Sequence, residues 1–285
     1  MINVKKWKIV VDSGSSIREI ETTNQNVALE VVPLMINIGN EVFVDSADLD
    51  IANFLSELKD TKQKTSSACP SPEVYANRFE GAENVICFTI SSQLSGSYNS
   101  ASLGKDIALE RNPDANIHIF DSRSAGSEMD LLAKKAFELA ETDAEFDDVV
   151  KELNAYHENL DIAFLLESVD NLVNNGRVSK ILGQMIGLLG IRLIGNRTTE
   201  GTIQLAHKSK GQKRALKTLI NELKSKGYNG GEIEVSHVLN PDIAKAFEEE
   251  ILKEYPNAKI TTRVTSALCS YYAEHNGMIV GFETN

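Results

Sequence analysis

The residues best placed to do chemistry in this chain are hydroxyls gathered around glycine. In ENVICFTISSQLSGSYNSA, Ser91, Ser92, Ser95 and Ser97 surround Gly96 and directly follow the apolar, β-prone run Val85, Ile86, Cys87, Phe88 and Ile90. A strand ending in such a loop, with the helical spacing of SYNSASLGKDIALE after it, sets hydroxyls beside the unpaired N–H groups of a helix start, which favours an anion. A second group, Thr65, Ser66 and Ser67, lies in TSSACPSP, read as a loop before a helix that opens at Pro72 with Ser71 as N-cap. Arg177 follows the helix stop Asn174-Asn175-Gly176 and carries a planar fork suited to carboxylate or phosphate. The chemistry in outline is carboxylate or phosphate binding. Capping alone would use the same serines, and a solvated arginine would look the same.

Nucleophilic and metal chemistry find less support. The chain has no G-x-S-x-G elbow and no G-x-x-x-x-G-K-[ST] loop, and His118, His157, His207, His237 and His275 show no spacing that marks a base. Cys69, Cys87 and Cys269 are too few and scattered for a disulfide framework or a zinc site. A serine hydrolase or a phosphotransferase is the enzymatic alternative.

The elements that must position these groups alternate between strand and helix. Strands are expected at Trp7–Val11, Val31–Ile38 with a hairpin partner Glu41–Val44, Ile117–Phe120 and Ile162–Leu166, and helices over 48–59, 131–139 and 146–160. Strand-to-hydroxyl transitions recur at Asp12-Ser13, Ser91–Ser97 and Asp121-Ser122, and in a parallel sheet such loops leave one edge and converge on one crevice. Beyond residue 161 come the apolar, glycine-spaced run ILGQMIGLLGIRLI, a strand at Thr202–His207, a basic helical stretch over 208–226, a strand at Glu232–Leu239, a helix over 241–255 and strands at Ala258–Val264 and the chain's end. The glycine-spaced run reads as packed core or as the wall of an acyl-chain pocket, with Ile181, Met185, Leu188, Leu189 and Ile194 as its lining. The fold class is α/β, with an α/β domain over 1–160 and an α+β domain over 161–285.

With 285 residues, 42% hydrophobic and 25% charged, the chain can build a sizeable core. A net charge of −12 argues against nucleic acid as a partner and against a DNA-binding regulator. The N-terminus shows no signal peptide and no run approaches the roughly 20 apolar residues of a membrane span, so a cytoplasmic location is expected.

Taken in order, IVVDSGSSI, VVPLMINIGNEVFVD, TSSACPSPEVY, ISSQLSGSYNSA, IHIFDSRSAGS, LESVDNLVNNGRVSK and KSKGQKRAL resemble the DegV family of bacterial fatty-acid-binding proteins over nearly the whole chain. The resemblance implies a non-enzymatic carrier with no cofactor, holding one long-chain fatty acid between two domains and presenting its carboxylate to a separate fatty acid kinase. Transient membrane contact is compatible with that role; another amphiphilic acid or lipid is the alternative cargo. Carried over by position, the carboxylate would meet Ser67, with Ser66 and Thr65 close by, then Ser95, Gly96 and Ser97, and Arg177. The family's histidine position holds Ala273 here, and His275, two residues on along an extended backbone, is the expected substitute, with Tyr271 and Tyr272 as other donors. Glu128 stands near the place of a family glycine.

Overall fold

A computed structural model describes residues 5–22, 24–142, 144–179 and 190–284. The apolar run in KKWKIVVD forms β1 (Lys5–Asp12), buried from Trp7 onward. It is flanked by β2 (Val27–Val32) and β6 (Ala82–Thr89), with β7 (Asn116–Asp121) beyond, in a parallel sheet of order β2-β1-β6-β7. Parallel strands are covered on both faces, which is why these runs are apolar without alternation. One face packs on α2 (Pro72–Phe79) and α3 (Ser97–Arg111), the other on α4 (Ser127–Ala140) and α5 (Phe146–His157). Trp7 lies in that second layer, fully buried and stacked on Phe146 at 5.9 Å.

The predicted strand over 31–38 is divided. Val31 and Val32 complete β2, Pro33 has no N–H to continue a ladder, and the chain resumes as β3 (Met35–Ile38), which forms the expected hairpin with β4 (Glu41–Val44). The other neighbour of β3 is β5 (Thr65–Ala68), so the stretch read as a hydroxyl loop begins as a strand, with Ile36 opposite Ser67. Between them, α1 (Ile51–Asp60) starts at Asp50, whose carboxylate accepts from the Ala52 and Asn53 amides.

The remaining strands build a six-stranded sheet, order β10-β9-β8-β13-β11-β12, from β8 (Leu160–Leu166), β9 (Ile191–Arg197), β10 (Ile203–Lys210), β11 (Ile233–His237), β12 (Ile260–Val264) and β13 (Met278–Glu283). Only β11 and β12 run parallel within it. Alternation along β8 splits its two faces. Ala163 and Leu165 pack with α7 (Gln212–Ser225) and α8 (Pro241–Glu254), whereas Ile162, Phe164 and Leu166 join Leu193 and Ile279 on the opposite face, toward the parallel sheet.

Two helices connect the sheets. The start of α4 presses onto β13: a Cβ on Gly281 would lie 2.4 Å from the Glu128 amide nitrogen, so glycine is required there by close approach. The terminal segment, read as leading straight into a strand, first forms α9 (Ala267–Ala273), whose Ala267, Leu268 and Tyr271 belong to the core beneath the parallel sheet. Asp45, fully buried, accepts from the Ala267 and Leu268 amides at 2.9 and 3.0 Å, and Ser266 caps Cys269 at 3.1 Å. Those bonds satisfy the orphan donors of a helix start and fix where α9 points.

Candidate fatty-acid site

The hydroxyl loops do leave one edge of the parallel sheet. Asp12 ties them together: its two carboxylate oxygens accept from the Gly14 and Ile90 amides, both at 2.9 Å. Burial pushes the Asp12 carboxyl up to about 7 despite those bonds. Above this edge, between it and the Ile162, Phe164, Leu166 face of β8, lies a cavity.

Its walls are mostly hydrocarbon, from Leu34, Ile90 and Leu94 on one side and β8, Ile203 and Ile279 on the other. At the end of β8 that leads into α6 (Asp170–Asn174), a polar group closes the wall. Ser67 and Tyr272 share a hydrogen bond of 2.7 Å between their hydroxyls, and both line the cavity, as do Ser95 and Arg177. The Arg177 guanidinium sits 5.8 Å from the Tyr272 ring centroid, with its Nε donating to the Leu94 carbonyl at 3.1 Å and a terminal nitrogen to the Asn175 carbonyl at 2.6 Å. Burial raises the Tyr272 hydroxyl above its ordinary value, while Ser67 and Arg177 pull it back, so at neutral pH it is a protonated donor. The arrangement offers several O–H donors and one cation to a single carboxylate at the end of an apolar slot, the strong, charge-assisted kind of bond.

The other predicted carboxylate contacts fall elsewhere. Gly96 is the N-cap of α3, and Ser97, fully buried, bonds Ser95 at 2.9 Å between hydroxyls and donates its amide to Ser95 Oγ at 3.2 Å; both hold Ser95 from behind. Ser66 points away, because β5 alternates: its hydroxyl lies 3.4 Å from Asn37 Nδ2 on the neighbouring strand. Thr65 is on the Ser67 side but pairs with Tyr271 at 2.8 Å and faces an adjoining cleft lined also by Leu55, Lys59 and Asn174. His275 is exposed at that same cleft and does not reach the cavity. The extended backbone assumed for it does not exist: Ala273 ends a helix and Glu274 turns the chain with φ 55°. Ala273 does line the cavity, and so does Tyr272, one residue before it.

Of the predicted acyl-chain residues, Ile181, Met185, Leu188 and Leu189 lie outside the described residues. Ile194 is described, and it is not a wall residue: it pairs with Leu165 in register and packs on the α7 side of the sheet with Ala215 and Leu219. Reasoning from the sequence missed Ile162, Phe164 and Leu166. Their alternation was hidden inside an unbroken apolar strand, since the residues between them are buried too.

The far end of the cavity was also missed. Arg197 lines it, and its guanidinium donates Nε to Glu128 Oε2 and a terminal nitrogen to Glu128 Oε1, both at 2.9 Å, with a further bond to the Leu160 carbonyl at 3.0 Å. Glu128 has no exposed side-chain surface. Burial raises its pKa and Arg197 opposes the rise. His157, 3.8 Å from Glu128, is held neutral by burial, its pKa lowered to about 4, and bonds the Ser122 carbonyl. Among the described residues no group of three or more His, Cys, Asp and Glu could hold a metal, and no described helix is long and apolar enough to cross a membrane.

An α/β fold with an apolar slot between its two larger sheets has a known family counterpart: the DegV family model matches residues 6–284, and the chain belongs to that family. A DegV domain-containing protein of Streptococcus pyogenes serotype M1 is 45% identical over 277 residues, 97% of this chain and 99% of that protein. Among solved structures, the Streptococcus pneumoniae fatty acid kinase (Fak) B3 protein loaded with linoleic acid is similar with a TM-score of 0.96 and 42% identity, covering 98% of this chain and 99% of the other. A DegV family protein of Eubacterium eligens loaded with heptadecanoic acid follows at 0.93 and 32%, covering 98% and 100%.

Proposed function

We propose that this protein is a carrier for one long-chain fatty acid, which it presents to a separate fatty acid kinase for conversion to the acyl phosphate. The observation that carries the reading is the apolar cavity ending in the Ser67, Tyr272, Ser95 and Arg177 cluster. The carboxylate is held there by hydroxyls and the guanidinium, and the tail lies along Leu166, Phe164 and Ile162. The linoleic and heptadecanoic acids bound by its structural relatives support the ligand class, and the kinase name of the pneumococcal relative supports the partner.

The carrier itself does no bond-making. Ser67 is paired with a tyrosine and Ser95 with a serine, and no described histidine or carboxylate bonds either hydroxyl to make it a nucleophile. A cytoplasmic site of action and a division into domains over 1–160 and 161–285 belong to the same proposal. The deciding experiment is mass spectrometry of the purified protein, native and after denaturing extraction. A stoichiometric fatty acid is expected. A protein that is empty and takes up no added fatty acid would overturn the reading.

A further inference from the structure

Resting on that reading, the structure also says where the tail must stop. Ile162, Phe164 and Leu166 face the cavity at alternate positions of β8, so the slot runs along this strand. Its two ends are chemically unlike. Beyond Leu166 the chain leads through α6 to Arg177 and the hydroxyl cluster; at Leu160, six residues and about 20 Å back along the strand, the wall is Arg197 locked to Glu128 and to the Leu160 carbonyl. Phe164 closes the wall between them: a Cβ on Gly195 would fall 2.4 Å from its ring, so the ring lies flat across β9 where only glycine leaves room.

We infer that the buried Arg197–Glu128 ion pair is the length stop of the acyl pocket, the specificity-determining feature that sets the longest chain this carrier accepts. A hydrocarbon terminus reaching Arg197 meets a bidentate ion pair with one partner wholly buried. Parting that pair strands a charge, and the burial of one more methylene does not offset it. The pair is also fixed in place. Arg197 spends donors on three acceptors and Glu128 sits in the first turn of α4, which is pressed onto β13, so neither group can retreat to admit a longer tail. Selection at the stop is therefore by length, whereas selection along Phe164 is by shape.

The test is a binding series of saturated fatty acids of increasing length on the wild-type protein and on the double variant Glu128→Leu/Arg197→Ala, which removes both charges together and leaves neither stranded. For the wild type, affinity should climb about fourfold per methylene to a limiting length and then fall. The variant should keep climbing past that length. An unchanged limit in a folded variant overturns the inference, while a wild-type protein that binds no member of the series overturns the carrier reading instead. Should the variant not fold, the wild type still decides: a limiting-length acid with a photoreactive group at its methyl end should label peptides containing Ile162, Arg197 or Ile203, and labelling elsewhere overturns the proposal.

Discussion

The head end of the cavity and the seam where α4 meets the six-stranded sheet are both polar regions between the same two sheets, yet they are built from different materials. At the head end the groups are Ser67, Ser95, Tyr272 and a single arginine, all half-buried; Ser67 and Tyr272 share a hydroxyl bond, Ser95 bonds Ser97, and the arginine donates to two backbone carbonyls. At the seam they are full charges. Glu128 pairs with Arg197, Arg263 donates to Glu234 at 2.8 Å and lies 3.7 Å from Asp130, and Lys134 bridges Glu232 and Glu234. Groups that must release one partner for another at low cost are neutral and mobile in their bonding; groups that must keep two sheets in register are charged, buried and mutually committed.

The largest effect that could break this contrast is at the seam. Arg197→Ala leaves Glu128 buried without its partner and should cost about 3–5 kcal/mol of stability, measured by urea unfolding; a loss as small as a surface substitution would put the seam on a level with the head end. Next, Ser67→Ala and Tyr272→Phe should each weaken fatty-acid binding by roughly 1.5–3 kcal/mol, the worth of a hydrogen bond to a charged group, with little change in unfolding. Calorimetric titration reads the first and the melting curve the second. Ser95→Ala should behave alike, because Ser97 lies behind it and not in the cavity.

A smaller effect comes from pH. Burial raises the Asp130 carboxyl to about 6 and that of Asp12 to about 7, against ordinary values near 3.8. A carboxyl whose pKa is raised by folding binds more protons folded than unfolded, so these two groups lower stability as pH rises from about 4 toward 7. Melting temperature should therefore decline over that window, while fatty-acid affinity, set by hydroxyls and an arginine, should stay level between pH 6 and 8, an interval above the ordinary carboxylate pKa near 4.3. The smallest effect expected is none: His275→Ala should leave affinity unchanged, and a clear loss would return that histidine to the site.

The strands that carry the loops were legible because buried parallel strands are long apolar runs, and WKIVV, VICF and IHIF announce themselves. What failed was local structure decided by distant partners. TSSA has no apolar alternation, and it is a strand because β3 offers it a ladder. The helix α9 has seven residues, too few to sustain itself, and forms because Asp45, 222 residues away in sequence, satisfies its first amides. That helix sets Tyr272 on the cavity wall and His275 at the adjoining cleft. The Arg197–Glu128 pair joins residues 69 apart, and no spacing rule in one sequence connects them. The resemblance pointed at Glu128 as a place where glycine was missing; only the fold shows that its carboxylate meets Arg197.

Trp7 gives the molecule one more property. It is the sole tryptophan of the chain, sealed against Phe146 in the layer behind the parallel sheet and absent from the cavity wall. Its emission will report whether that layer is intact and will be nearly blind to cargo. A ligand-induced signal should arise from Tyr272, the tyrosine that lines the cavity, and loss of the core and loss of the lipid can be followed in the same cuvette as two separate optical events.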